Sequence, residues 1–229
     1  MAPLYKTRGI VINYLKYGET SLIAKILTEE FGVQSYIVNS VRTRKPRYNI
    51  SLFQPLTILN LVVYKKKNAN LNRISEIEPL THSPGIQGNI YKSCIALFVS
   101  EVLNRTLKEE LEDRLLFNFV VEAIKFLEWK ETGFNNFHLF FLVKLSRFLG
   151  FAPHSGEEIV SQVYQTAGTA NPDEIAALDA LIGGSFDDEV KMSVALRRKT
   201  LEDLVKFYQL HIENFGRLRS MDVLRETLS

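Results

Sequence analysis

Between Tyr36 and Phe53 the chain reads YIVNSVRTRKPRYNISLF, and within it Arg42, Arg44, Lys45 and Arg47 place four cations in six residues. Charges of one sign packed this densely repel, so they are favoured only where an anion offsets the repulsion or where water solvates all of them. The chemistry open to them is neutralisation of phosphate. Pro46 limits the freedom of the backbone, and Tyr36, Tyr48 and Phe53 flank the cations. Cations interleaved with aromatic rings suit single-stranded nucleic acid, because every base has a face to stack and every nucleotide a phosphate. Such a surface would hold a strand without reading base edges. A solvated hairpin tip can have the same sequence, so the loop alone leaves both readings open.

Patterns for bond-making chemistry are missing. The chain has no Gly-rich loop followed by Lys-Ser/Thr, no dinucleotide fingerprint and no His-Glu-x-x-His helix. His82, His138, His154 and His211 are scattered singly, and His138 lies beside an apolar helical face that suits a hydrogen-bonded structural histidine. Glu109-Glu110 and Asp187-Asp188 are adjacent pairs that would point apart on a helix. The single cysteine, Cys94, excludes an internal disulfide and any multi-cysteine zinc site, and it falls on an apolar stripe as a core residue would. No catalytic residue, metal ligand or cofactor site is expected.

The elements that must position the loop divide the chain in two. Residues 1–80 carry twelve Lys and Arg against five Asp and Glu, a net +7, whereas residues 81–229 carry 16 against 21, a net −5. This asymmetry points to an N-terminal module made for a polyanion. Arg8–Tyr17, Thr20–Thr28, Val33–Val41, Leu56–Tyr64 and Leu71–Ile77 have strand composition separated by turn signals, which favours a small barrel or sandwich. Lys6, Arg8, Lys25 and Arg73 could add to the loop's charge, as could the lysine run 65–67, although a solvated turn suits that run better. Pro79 and the segment Thr81–Gly85 mark a boundary.

Beyond it the apolar period becomes helical. Helices are predicted over Asn89–Leu107, Leu115–Trp129 and Phe137–Leu149, the last apolar almost all round and stopped by Gly150. Residues 151–170 are hard to read. Asn171-Pro172-Asp173-Glu174 opens a further helix ending at Gly183-Gly184, a long one starts at Ser193 or Thr200, and Ser220 begins the last, which runs to Leu228. The start MAPLYKTRG carries no signal-peptide pattern and no apolar run reaches membrane-spanning length, so a cytoplasmic protein is expected.

Several segments together resemble the RecO family of bacterial recombination mediators. They are Gly18-Glu19-Thr20-Ser21-Leu22, Thr28-Glu29-Glu30-Phe31-Gly32, the loop with its exit Phe53-Gln54-Pro55-Leu56, Glu101-Val102-Leu103, Leu149-Gly150-Phe151, and Leu218–Arg225. The resemblance implies an α+β chain, with a five-stranded oligonucleotide-binding (OB-fold) barrel over residues 1–80 and a larger all-helical domain over 81–229. It implies a nucleoid-associated, non-enzymatic protein of DNA repair. Such a protein binds single- and double-stranded DNA, anneals strands coated with single-strand-binding protein (SSB), and acts with RecR to load recombinase. On that reading the DNA-binding residues are Arg42, Arg44, Lys45, Arg47, Lys6, Arg8, Lys25 and Tyr48. Lys144 and Arg147, one turn apart on the third helix, are candidates for the acidic SSB tail, or simply snorkelling side chains.

The sequence departs from many relatives in one respect, since residues 151–190 hold no cysteine where those relatives carry a four-cysteine zinc module. The connection from third to fourth strand also looks short for the helix often found there. Two other readings stay open: a scaffold whose basic barrel binds an acidic partner, and a metal-dependent DNA-processing enzyme with an unrecognised acid cluster.

Overall fold

Five stretches rich in β-branched and aromatic residues become strands: β1 (Leu4–Tyr17), β2 (Ser21–Thr28), β3 (Gly32–Val38), β4 (Ile58–Tyr64) and β5 (Asn72–Pro79). The computed structural model describes residues 3–65, 71–80, 84–109, 112–165 and 171–227. The tip of the lysine run at 66–70, the boundary residues 81–83 with His82, Glu110, Gly168 and Leu228 lie outside the described residues. β1 begins earlier than its composition predicts because Leu4 to Arg8 pair with Tyr64 to Asn60 of β4.

β1, β2 and β3 form an antiparallel meander, β4 pairs antiparallel with β1 and β5, and β3 meets β5 in parallel. The resulting order β1-β2-β3-β5-β4 closes on itself. This is the five-stranded oligonucleotide-binding barrel expected from the sequence. Gly18 at the β1–β2 turn has φ +56°, a conformation that costs a residue without Cβ little. Between β3 and β4 the one helical element is a 3-10 turn, Ile50–Phe53. Asn49 caps it by accepting from the Ser51 N–H at 3.0 Å, and Phe53 is driven into the barrel core with Tyr36, Leu22 and Leu59.

The helices are α1 (Pro84–Gln87), α2 (Ile90–Thr106), α3 (Arg114–Trp129), α4 (Phe137–Phe148), α5 (Gly156–Tyr164), α6 (Pro172–Gly183), α7 (Val194–His211) and α8 (Ser220–Thr227). Asn171 accepts from Asp173 N–H (3.0 Å) at the start of α6, as its sequence predicts. Ser193, not Thr200, starts α7, accepting from Leu196 N–H at 3.1 Å. The segment that was hard to read holds α5, capped by Ser155 on Glu158 N–H. α1 begins inside the predicted break, at Pro84 and Gly85.

The chain divides into two compact units, Met1–Pro84 with Ser100–Ile124, and Gly85–Val99 with Lys125–Ser229. In the first, the Ser100 hydroxyl donates to Ile12 O of β1, and Arg114 pairs with Glu30 at 2.7 Å. In the second, Cys94 is buried as expected and lies 3.4 Å from the Thr227 hydroxyl. His138 is buried too, its ring edge-on to Phe98, and among the described residues its Nδ1 has no hydrogen-bond partner. Burial, with Arg197 nearby, pushes its pKa down to about 3, so it stays neutral.

Also in the second unit, α5, α6 and α7 meet around two buried carboxyl groups. Lys199 donates to Glu174 at 2.9 Å and to Asp203, and the Tyr164 hydroxyl donates to Asp203. Burial raises the Glu174 carboxyl above the usual range, and hydrogen bonding with Asp203 adds to the rise. For Asp203 burial pushes upward, yet hydrogen bonds with Glu174, Lys199 and Tyr164 together hold it below the usual range.

Gly9 sits where the barrel wall leaves little room for a side chain. A Cβ there would lie 2.7 Å from both Ile26 Cγ2 and Leu61 Cδ1, two buried side chains with little room to yield. Gly9→Ala should therefore lower stability by about 1–3 kcal/mol, the usual cost of overpacking. A urea midpoint equal to that of the parent chain would show that the barrel wall can give way.

Candidate nucleic-acid interface

The basic loop springs from the end of β3 and is tied to the barrel at both of its ends. Val41 N–H and Arg42 N–H both donate to Thr20 O at 3.0 Å, and the Arg42 guanidinium donates to Gly18 O at 3.2 Å. At the far end Arg47 N–H closes the loop on Ser40 O (3.2 Å). The Arg47 guanidinium and the Tyr48 hydroxyl converge on Ser75 O of β5, at 3.0 and 3.1 Å, with the guanidinium 5.2 Å from the Tyr48 ring centre. Arg44 and Lys45 stand at the tip, exposed and without a hydrogen bond or ion pair among the described residues. Two of the four cations thus hold the loop, and two are free to meet an anion.

The flanking aromatics do not play the part their position suggests. Tyr36 and Phe53 are fully buried, and Tyr48 is half-buried against the barrel core. A role for Tyr36 and Phe53 as stacking faces is corrected by this burial: alternation along β3 turns Tyr36 inward with Val38. The exposed ring beside the loop is Tyr17, at the end of β1 next to the Gly18 turn that anchors Arg42. In the sequence Lys16 and Tyr17 show only as the tail of a strand. A lysine and a tyrosine immediately before a turn glycine are the available signal.

Of the other candidate cations, Lys6, Arg8 and Lys25 stand away from the loop, and Arg73 lies beside its base. Arg8 is bound bidentately by Glu29 (2.7 and 2.8 Å), reaches Asn118 at 3.3 Å and sits 5.2 Å from the Phe117 ring centre. Glu29 is held below the usual carboxylate range by that hydrogen bond from Arg8. Lys25 is half-buried and donates to Asn104 Oδ1 at 2.9 Å; burial lowers its pKa. Lys6 faces a groove of about 500 Å3 across β1, β4 and β5, where Glu76 and Glu78 stand opposite. Arg73 is exposed on β5, paired with Ile37 of β3.

In the helical unit, Lys144 and Arg147 turn toward the C-terminal end of α6. Arg147 donates to Ile182 O at 3.0 Å, and Lys144 donates to Ile182 O and Gly184 O. Both serve the carbonyls that a helix leaves unpaired, where positive charge is favoured. Burial lowers the Lys144 pKa, and Arg147 lowers it further. Among the described residues no group of three or more His, Cys, Asp and Glu is placed to hold a metal ion, and no helix is long and apolar enough to cross a membrane.

A closed oligonucleotide-binding barrel with free cations at one loop, joined to a run of helices, defines a class of barrel-and-helix nucleic-acid proteins. The family models described as recombination protein O N terminal and recombination protein O C terminal match residues 1–82 and 87–222. The chain is 34% identical over 238 residues to the DNA repair protein RecO of Bacteroides fragilis, covering 97% of this chain and 98% of that protein. It is 33% identical to that of Flavobacterium johnsoniae (98% and 99% covered) and 32% to that of Phocaeicola vulgatus (99% and 100%). The chain belongs to the RecO family of DNA repair and recombination proteins.

Two predictions follow from the division among the cations. Replacing Arg44 and Lys45 by Ala should make the slope of log K against log salt for single-stranded DNA shallower by about 1.4, at about 0.7 per phosphate contact, with no change in stability. An unchanged slope would put the DNA path elsewhere. Arg8→Ala should instead cost stability, about 1 kcal/mol given its partial exposure. Because the folded-state pKa of Glu29 is depressed, that contribution is complete above its unfolded value of about 4.3 and is lost as pH falls through the lower folded value. The gap between variant and parent should narrow from pH 7 to pH 3 in urea unfolding; a constant gap would exclude this ion pair as its source.

Proposed function

We propose that the chain is a recombination mediator whose barrel holds DNA and whose helical part holds protein partners, with the two tasks divided near residues 80 and 81. The observation that carries this reading is the pair Arg44 and Lys45, offered to solvent on a loop whose other two cations pin it to a net-positive barrel. Membership of a recombination and repair family makes a nucleic-acid phosphate the fitting anion. The barrel would bind single- and double-stranded DNA through Arg42, Arg44, Lys45 and Arg47, while Arg8, Lys25 and Tyr48 support the surface from within.

Annealing then needs no bond to be made or broken. A cationic face neutralises two phosphate backbones and raises their local concentration, so complementary strands meet more often. Partner binding by the helical unit would bring SSB-coated DNA to that face through the acidic SSB tail, and RecR would join to load recombinase. Arg147 is exposed and has donors beyond the one spent on Ile182 O, which suits it to receive a carboxylate. Lys144 would contribute charge from beside it.

Annealing of complementary strands coated with SSB tests the proposal. The chain should accelerate it several-fold, and SSB lacking its C-terminal tail should abolish most of the gain. Failure to anneal even naked strands would reject the mediator role.

A further inference from the structure

The outer face of β1, β4 and β5 holds three charges that nothing in the fold uses. Strand register sets Lys6 opposite Val62 and Val62 opposite Glu76; on the next outward row Arg8 stands opposite Asn60 and Asn60 opposite Glu78. The row between them, Thr7, Leu61 and Ile77, is buried, so the charged rows point out. These outward rows line the groove of about 500 Å3. Arg8 is spent on Glu29. Lys6, Glu76 and Glu78 are exposed, and among the described residues none of them has a hydrogen bond or an ion pair.

One wall of the groove is therefore a free ammonium and the other two free carboxylates, with Val62 between them. A row further along, Leu4 pairs with Tyr64. Leu4 is 53% exposed, and Val62 and Tyr64 are half-buried, so the groove runs on into an apolar patch. The walls lie two strand spacings apart, about 10 Å. An α-helix with its side chains is about 10–12 Å across. A helix lying along β4 would set its apolar stripe on Val62, Tyr64 and Leu4. A basic flank would then meet Glu76 and Glu78, and an acidic flank would meet Lys6, which gives every free charge its opposite. Nucleic acid has no such match here, because the two carboxylates repel phosphate.

We propose that this groove docks an amphipathic helix of a partner protein, basic on the flank facing Glu76 and Glu78 and acidic on the flank facing Lys6. The barrel then carries a protein-binding face in addition to its basic loop, and Lys6 serves that face and not DNA. The proposal does not depend on what the loop binds.

Fluorescence anisotropy of the full chain with three labelled helical peptides of about five turns, roughly 18 residues, tests it. All share one leucine stripe; the first has arginine on one flank and glutamate on the other, the second arginine on both, the third glutamate on both. The mixed peptide should bind the parent chain most tightly. Glu76→Gln/Glu78→Gln should weaken it about 3- to 30-fold, as loss of two partly exposed ion pairs does. Lys6→Glu should exchange the preference, making the peptide with arginine on both flanks the tightest. Equal affinities for the three peptides, binding of none, or an unchanged preference in Lys6→Glu would overturn the proposal. So would a shallower salt slope for a thymidine homopolymer in Lys6→Gln, which would assign Lys6 to phosphate. Thermal melting of each variant excludes unfolding as the cause, since all three side chains lie outside the core.

Discussion

Among the described residues, closure of the barrel between β3 and β5 rests on two residue pairs, Tyr36 with Asn72 and Ile37 with Arg73. Backbone groups left over along such a seam need partners, and an open strand edge invites pairing with another chain. Part of that need is met by the basic loop, since Arg47 and Tyr48 both donate to Ser75 O. The loop is therefore a piece of the barrel wall as well as a display of charge. Its geometry follows from the sheet, and the sheet at that point is completed by it.

This dual use explains why the cations are not equivalent. A guanidinium fork can satisfy a carbonyl and still present other N–H groups, so arginine suits the two ends of the loop. Lys45 and Arg44, at the tip, carry charge with no structural duty. A loop held this way gives up less conformational freedom on meeting a ligand than a free one would. Elsewhere the same residue types are spent differently: Arg8 on Glu29, Lys25 on Asn104, Lys144 and Arg147 on the end of a helix.

Much of the architecture was legible because its signals are local. Alternating apolar residues marked the strands, and caps such as Asn171 and Ser193 marked helix starts, since each acts on N–H groups within three residues. The site was legible only as a cluster. Whether a cation is free depends on groups distant in sequence, such as Asn104 for Lys25 or Asn118 for Arg8, and no spacing rule reveals them. The inward turn of Tyr36 was accessible in principle through strand alternation, but its closeness to the cations suggested a surface role. α5 hid because its segment mixes glycine, proline and a short apolar run.

The meeting of α5, α6 and α7 around Glu174, Lys199 and Asp203 ties three helices through charged groups, and the segment 151–190 that carries α5 and α6 holds no cysteine. A tie made from the chain's own charges is complete as soon as the helices assemble. What governs it is the availability of protons, because two carboxyl groups so close cannot both ionise at little cost. Here three helices meet on one lysine shared between two buried acids.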